Sequence, residues 1–334
     1  MTTPRIAVIS ALAALVLVAC SDDSSTSGAD AGDARPADAA PGETAPGEAG
    51  AGDTGPAACI DDTSAGHHQY ICDGLKFDVH IPAACTPSGA SCGLVLDVHG
   101  LSMNAQMEDA NTNMRALGEK HGYVVVQPTA PGVLPSWDPK LHDERVHDFL
   151  TLAITRLGVD TKRVHMTGFS QGGYMSWRFI CKFTDTFASV APAAACGSAA
   201  IVSGCTFNGN DVPKRKLPIL FMHGTKDALV PFNGCADTQR DAVIAHYNAK
   251  VDKVIADDAT HVWTRYVGAG GERFEFIQHD YASNQALIVG HCFPGSTDPG
   301  GAKGQAFSFK CDDASQAFVW GEVAMQFFIE TPRP

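Results

Sequence analysis

Three side chains far apart in the chain have the types and order needed for nucleophilic acyl chemistry: Ser170, Asp227 and His291. Ser170 is the middle residue of Gly168-Phe169-Ser170-Gln171-Gly172, a G-x-S-x-G pattern. The run before it reads as a short buried strand. A helix is predicted from about Gly172, with Tyr174, Trp177, Phe179 and Ile180 as its apolar residues. At such a strand-to-helix turn the backbone reverses within a few residues and lifts the serine hydroxyl out of the sheet. A Cβ at Gly168 or Gly172 would collide with the neighbouring strand or helix, and Gly173 permits a similarly close approach. A serine at a helix start can also be a plain N-cap. The apolar strand before it and the acid and base downstream favour the nucleophile.

A serine hydroxyl is a poor nucleophile at neutral pH and needs a base in reach, with a carboxylate to orient that base. Asp227 fits the carboxylate. It ends the turn His223-Gly224-Thr225-Lys226-Asp227 after the apolar run at 217–222, and loops at the carboxyl ends of strands are where α/β folds place their sites. Asp211 precedes that run, and Asp280 lies in or beside a later strand. Among thirteen histidines, His291 fits the base: Gly290 precedes it, Pro294 stops its loop, and it follows Ser170 and Asp227. His99 and His223 each precede a glycine at a strand end and are expected to shape their loops. His67, His68, His142 and His147 form no recognisable metal motif, and no metal or organic cofactor is expected. An oxyanion formed at Ser170 needs preorganised N–H donors. The amide of Gln171, at the positive end of its helix, and the amide of Leu101 are the two predicted. Met103, Trp137, Val230, Phe232 and Phe293 are predicted pocket walls because they lie in loops after strands.

The elements that must position these residues interleave as a largely parallel sheet requires. Strands are predicted at 75–81 (an edge strand), 94–98, 123–127, 164–169, 187–194 and 217–222, with β-like runs at 262–267, 274–277 and 286–289. Helices are predicted at 105–121, 143–157, near 238–248 and from about 314 to 328. No internal repeat is present.

With these residues assembled, the chain resembles the esterase and poly(3-hydroxybutyrate) depolymerase group of α/β-hydrolases, which also holds feruloyl and acetylxylan esterases. The resemblance covers about 75–328. It rests on V-L-D-V-H-G at 95–100, D-x-x-R-V-H-M-T-G-F-S-Q-G-G at 160–173, F-A-S-V-A at 187–191, P-I-L-F-M-H-G-T-K-D at 218–227 and V-G-H-C-F-P-G at 289–295. It implies the α/β-hydrolase fold, a mostly parallel central sheet flanked by helices, and the chain order serine, acid, histidine. Family members tend to carry H-G-C-x-Q where this chain has His99-Gly100-Leu101-Ser102-Met103, and tryptophan where it has Cys292. Those departures fall on the acyl pocket and leave the triad alone.

The first 56 residues are different material. Residues 1–19 read as a lipoprotein-type signal peptide, with Arg5 in front of an apolar run too short to span a bilayer. Leu17-Val18-Ala19-Cys20 resembles a lipobox, making Cys20 the lipidation site of a bacterial cell-envelope lipoprotein; an ordinary secretory signal on a fully secreted protein is the alternative. Residues 20–56 carry eight acids against one base and, after Cys20 and prolines aside, no apolar side chain larger than alanine. Such a segment cannot offset its ordering entropy and reads as a disordered tether. Residues 57–334 are the predicted catalytic domain. Apart from Cys20, ten cysteines suit five disulfides in an oxidising compartment, with Cys85–Cys92, Cys196–Cys205 and Cys292–Cys311 as near-neighbour pairings. If Cys292 pairs with Cys311, the bridge anchors the loop of His291.

The net charge of −13 and the lack of a basic patch exclude a nucleic-acid partner. The membrane is expected to be touched only through the N-terminal lipid. The sequence does not set the oligomeric state. The predicted activity is hydrolysis of a carboxylic ester, of a polyhydroxyalkanoate-type polyester or of feruloyl or acetyl groups on polysaccharide, through an acyl-enzyme. A serine peptidase on the same fold and a catalytically silent surface binding protein are the alternatives.

Overall fold

Among the described residues ten strands form one sheet: β1 (Gly66–Cys72), β2 (Leu75–Ile81), β3 (Gly93–Val98), β4 (Tyr123–Thr129), β5 (Val164–Phe169), β6 (Ser189–Ala193), β7 (Ile219–Gly224), β8 (Lys250–Asp257), β9 (His261–Val267) and β10 (Arg273–His279). Their spatial order is β1-β2-β4-β3-β5-β6-β7-β10-β9-β8. The run from β4 through β3, β5, β6 and β7 to β10 is parallel, and antiparallel strands flank it on both sides. The described helices are α1 (Ala105–Thr112), α2 (Met114–His121), α3 (Asp143–Arg156), α4 (Gln171–Lys182), α5 (Asp237–Tyr247) and α6 (Trp320–Glu330). The computed structural model describes residues 59–85, 91–197, 204–298, 308–312 and 318–334. The predicted signal peptide, tether and Cys20 lie outside the described residues.

The parallel strands are mostly apolar and almost wholly buried because both faces are covered. Along β3 the side chains alternate in pleat order. Leu94, Leu96 and Val98 join one core with Phe149 of α3, Phe179 of α4 and Tyr247 of α5. Val95 turns to a second core with Met107 of α1, Leu117 of α2 and Phe328 of α6. Asp97 shares that second face and is wholly buried. Its carboxylate accepts hydrogen bonds from Thr112 Oγ1 at 2.9 Å and Gln127 Nε2 at 2.8 Å. Burial pushes it up to about 6 and raises its hydrogen-bonded neighbour Glu108 well above the usual carboxylate range. This polar knot holds α1 against the end of β3.

The structure corrects several expectations. β2 is not an edge strand, because β1 pairs with it on the outside over the full register Gly66↔Ile81 to Cys72↔Leu75. The helix expected over 105–121 is two helices, broken at Asn113, which takes the left-handed conformation (φ 53°, ψ 30°). The break frees the Thr112 carbonyl to lie against Gly321 of α6, where an added Cβ would come within 1.8 Å of it. Residues 286–289 make no strand. The amides of Ile288 and Val289 both turn back to the Gln285 carbonyl, leaving a single bridge, Asp227↔Val289. β8 gave no sequence signal because it lies at the sheet edge with Lys250 to Val254 exposed, so it carries no alternation. The closing helix begins at Trp320, and residues 313–317 lie outside the described residues.

The ten cysteines form five bridges: Cys59–Cys72, Cys85–Cys92, Cys181–Cys205, Cys196–Cys235 and Cys292–Cys311. Two of the three expected pairings are found. Cys196–Cys205 is not, because Cys205 meets Cys181 at the end of α4 and Cys196 meets Cys235 ahead of α5. Short spacing measures only how readily a loop closes, and here the sheet chose other partners.

Candidate active site

The predicted site residues follow the carboxyl ends of four parallel strands: Leu101 after β3, Ser170 after β5, Asp227 after β7 and His291 after β10. Ser170 sits between β5 and α4 with φ 54° and ψ −114° and makes no side-chain cap hydrogen bond, so the N-cap reading fails. A non-glycine residue in that region costs about 1–3 kcal/mol and holds only where its surroundings over-determine it. The Ser170 amide donates to the Ala193 carbonyl at 3.0 Å, and its own carbonyl accepts from Tyr174 at 2.9 Å.

The elbow depends on the absence of a side chain at Gly172. A Cβ there would lie 1.9 Å from the Val98 carbonyl oxygen and 2.6 Å from its carbon. Both atoms are backbone of a central strand and cannot swing aside. Gly172→Ala is expected to destabilise the domain by about 3–5 kcal/mol. Gly158→Ala serves as control: its φ is +63° but nothing lies within 4 Å of the added atom, so only about 1–2 kcal/mol of backbone strain is expected. Urea unfolding of the two variants checks this, and equal losses would disprove the steric account.

Asp227 is held from both sides. Its Oδ1 accepts the amides of Leu229 at 2.9 Å and Val230 at 2.8 Å. Its Oδ2 lies 2.7 Å from His291 Nδ1. Both side chains are buried. Burial works against the charge on Asp227, but the facing His291 with its hydrogen bond, and then His223, outweigh it and hold the carboxyl below its ordinary value. An ionised carboxylate only accepts, so the proton of the neutral imidazole is on Nδ1 and Nε2 is left with a lone pair. Gly290 makes the approach of the two loops possible, since a Cβ there would meet the Asp227 amide nitrogen at 2.6 Å. The Cys292–Cys311 bridge ties the residue next to His291 to the neighbouring segment. The His291 ring packs on Phe169, the residue before Ser170, with centroids 4.7 Å apart. Among the described residues the Ser170 hydroxyl makes no hydrogen bond; bonds of this kind commonly tighten only when substrate is bound.

Gly100 lies close against Ser170, its ideal Cβ 3.1 Å from Ser170 Cβ, which puts the Leu101 loop beside that serine. Among the described residues neither the Leu101 nor the Gln171 amide is taken by another hydrogen bond. The competing carboxylates are engaged elsewhere: Asp211 caps the amides of Cys205 and Thr206, and Asp280 pairs with Lys226 at 3.2 Å.

The predicted pocket walls divide. Met103 and Phe293 have no exposed surface and pack as core, Phe293 stacked on Phe169 at 4.1 Å. Val230 is buried, and its carbonyl faces His223 Nε2 at 2.9 Å. Trp137 is buried too, and its indole N–H donates to the His99 carbonyl. Phe232 is half-buried, packed near Phe276. Sequence reasoning missed Ser136, which contacts the Gln171 side-chain amide at 3.1–3.3 Å. A serine in a proline-rich loop gives no signal of that kind. Outside this region, the atoms of Glu144, His147 and Asp148 on α3 lie close enough to share an ion. His147 there is already bonded to Thr186 Oγ1 at 2.8 Å, and the carboxylates are exposed.

Residues 140–267 match the family model described as phospholipase/carboxylesterase. The chain is 26% identical over 163 residues to a bifunctional acetylxylan esterase/xylanase of Neocallimastix patriciarum, a match covering 48% of this chain and 22% of that protein. It is 38% identical over 87 residues to feruloyl esterase B of Piromyces equi, covering 26% and 16%. It is 33% identical over 126 residues to a poly(3-hydroxyoctanoate) depolymerase of Pseudomonas fluorescens, covering 34% and 44%. The chain thus spans less than half the length of each of these three relatives. Among solved structures, an acetyl xylan esterase from Aspergillus awamori superposes with a TM-score of 0.51 at 14% identity, over 64% of this chain and 93% of that one. By its sheet and strand-to-helix elbow the chain has the α/β-hydrolase fold, and in sequence it is similar over part of its length to the phospholipase/carboxylesterase family, to acetylxylan and feruloyl esterases and to a poly(3-hydroxyoctanoate) depolymerase.

Proposed function

We propose that this protein is an exported serine esterase that hydrolyses carboxylic esters through an acyl-enzyme. The observation that carries the reading is the buried Asp227–His291 pair, 2.7 Å apart, beside a serine held at positive φ between a strand and a helix. Ser170 Oγ attacks the ester carbonyl carbon while its proton passes to His291 Nε2. The carbonyl oxygen becomes an oxyanion facing the amides of Gln171 and Leu101. Collapse of the tetrahedral intermediate breaks the bond to the alcohol oxygen, which takes the proton from His291. Water then attacks the acyl-serine by the same route, releasing the acid and restoring Ser170. Asp227 holds the imidazole tautomer and stabilises the imidazolium. Export is supported by the five disulfides; Cys20 as lipid anchor and residues 20–56 as tether rest on the lipobox-like run and the composition of the sequence. The sequence relatives point to polyhydroxyalkanoate, feruloyl or acetyl esters as the substrate class.

The test is covalent. Reaction of the full chain with a fluorophosphonate is expected to place one adduct on Ser170, located by peptide mass mapping, and to stop turnover of p-nitrophenyl butyrate in proportion. Turnover that survives complete reaction, or an adduct elsewhere, would end the proposal. A polyhydroxybutyrate suspension, methyl ferulate and acetylated xylan, assayed side by side, then separate the substrate classes.

A further inference from the structure

The two oxyanion donors come from segments seventy residues apart in sequence, and a third segment joins them. From one side, Gln171 extends its side-chain amide to the loop before α3: Oε1 accepts the Trp137 amide at 2.9 Å, and Nε2 donates to Ser136 Oγ at 3.1 Å. From the other, the Trp137 indole N–H donates to the His99 carbonyl at 2.9 Å, and the Ser102 amide donates to the Pro135 carbonyl at 2.8 Å. The His99 ring packs against the Trp137 ring, centroids 4.9 Å apart. Its Nε2 accepts the Ala130 amide at 3.0 Å, where the same loop begins. Burial lowers His99 to about 4, so the ring keeps the neutral tautomer that this acceptor role needs.

The strap therefore touches both sides of Leu101, through His99 and Ser102, and grips the side chain of the residue whose amide is the other donor. Nothing in the chemistry requires a buried indole or a long amide at these positions. The indole N–H is committed to the His99 carbonyl and the side-chain amide to Ser136 and the Trp137 backbone.

We infer that Trp137 and the Gln171 side chain are positioning residues that set the distance between the Leu101 and Gln171 amides, so that the strap at 130–137 acts as the spacer of the oxyanion hole. This deepens the esterase reading and rests on it. A spacer acts only when negative charge develops on the carbonyl oxygen, so its loss lowers kcat and leaves KM in place.

The experiment uses the full chain with Trp137→Phe, which keeps the ring on His99 but removes the N–H, and with Gln171→Ala, which keeps the amide but removes the grip. Rates are normalised to active sites titrated with a fluorophosphonate. Each variant is expected to lose roughly 10- to 100-fold in kcat for p-nitrophenyl butyrate, with KM within about twofold and the rate of phosphonylation falling in step. The double variant is expected to fall little below the worse single one, because both cut the same bridge. Unchanged kcat per titrated site, with or without a lower melting temperature, overturns the inference, as does a raised KM at constant kcat. Should either variant be recovered unfolded, Ser136→Ala tests the same bridge at a half-buried position, with a kcat loss of about threefold expected and none overturning it. Retained turnover in Ser170→Ala would defeat the esterase reading itself. A silent Ser170→Ala beside fully active strap variants defeats the spacer alone.

Discussion

Ser170→Ala is expected to lower kcat for p-nitrophenyl butyrate by about 10⁶-fold, with the melting temperature within a degree or two of the parent. The two parts of that expectation have separate causes. The rate falls because the hydroxyl is the only atom at the elbow that can form the acyl bond. Stability holds because, among the described residues, the hydroxyl makes no hydrogen bond, and alanine meets the same backbone penalty as serine at φ 54°. Glycine does not meet it. Ser170→Gly should therefore be equally inactive yet more stable by about 1 kcal/mol, a gain that no loss of a structural residue would give. Residual turnover above about 1% of the parent in Ser170→Ala would remove the serine from the mechanism.

Asp227→Asn is expected to cost about 10⁴-fold in kcat with the loop intact. The asparagine carbonyl can still accept the amides of Leu229 and Val230, as Asp227 Oδ1 does. Its NH₂ would then face His291 Nδ1 and turn that nitrogen into an acceptor. The ring proton moves to Nε2, where it blocks proton transfer from Ser170, and the imidazolium loses its counter-charge. Stability changes with a defined sign. Asp227 titrates below its ordinary value in the folded state, so it contributes stability above about pH 4 that is lost as the pH falls through the folded value. The variant lacks that contribution and should show a shallower loss of its urea midpoint as the pH falls below about 4. Kinetics at pH 8 and urea melts across the acid range test the two halves. A tenfold or smaller loss in kcat would mean that another group orients His291.

Local chemistry made the elbow legible. Two glycines around a serine, after an apolar run and before an apolar helix, can hardly be anything but a tight strand-to-helix turn, and the structure supplies the backbone contacts that forbid a Cβ at Gly172. The fold class followed from strands apolar on both faces, a pattern that only a sheet covered on both sides produces. The Asp227–His291 pair was readable because each residue sits just past an apolar run; the run before Asp227 ends β7, whereas the run before His291 is a turn that returns to the end of β7 through the bridge Asp227↔Val289.

What the sequence hid depended on neighbours remote along the chain. β1 outside β2, β8 at the far edge and the break at Asn113 follow from which surface lies opposite each segment, and no local pattern encodes that. Cys196 could be paired with Cys205 on spacing, but bridge partners are set by where α4 and α5 end. Met103 and Phe293 follow strands, as walls of a pocket would, yet the second core absorbs them. The strap from Ala130 to Trp137 was invisible for the same reason: its function lies in hydrogen bonds to His99, Ser102 and Gln171. The sequence alone determined the elbow and the chain order of the candidate groups, because backbone sterics and strand polarity act over a few residues. Tertiary structure alone decided how the reacting groups are spaced, because that distance is held by contacts between residues that only the folded sheet brings together.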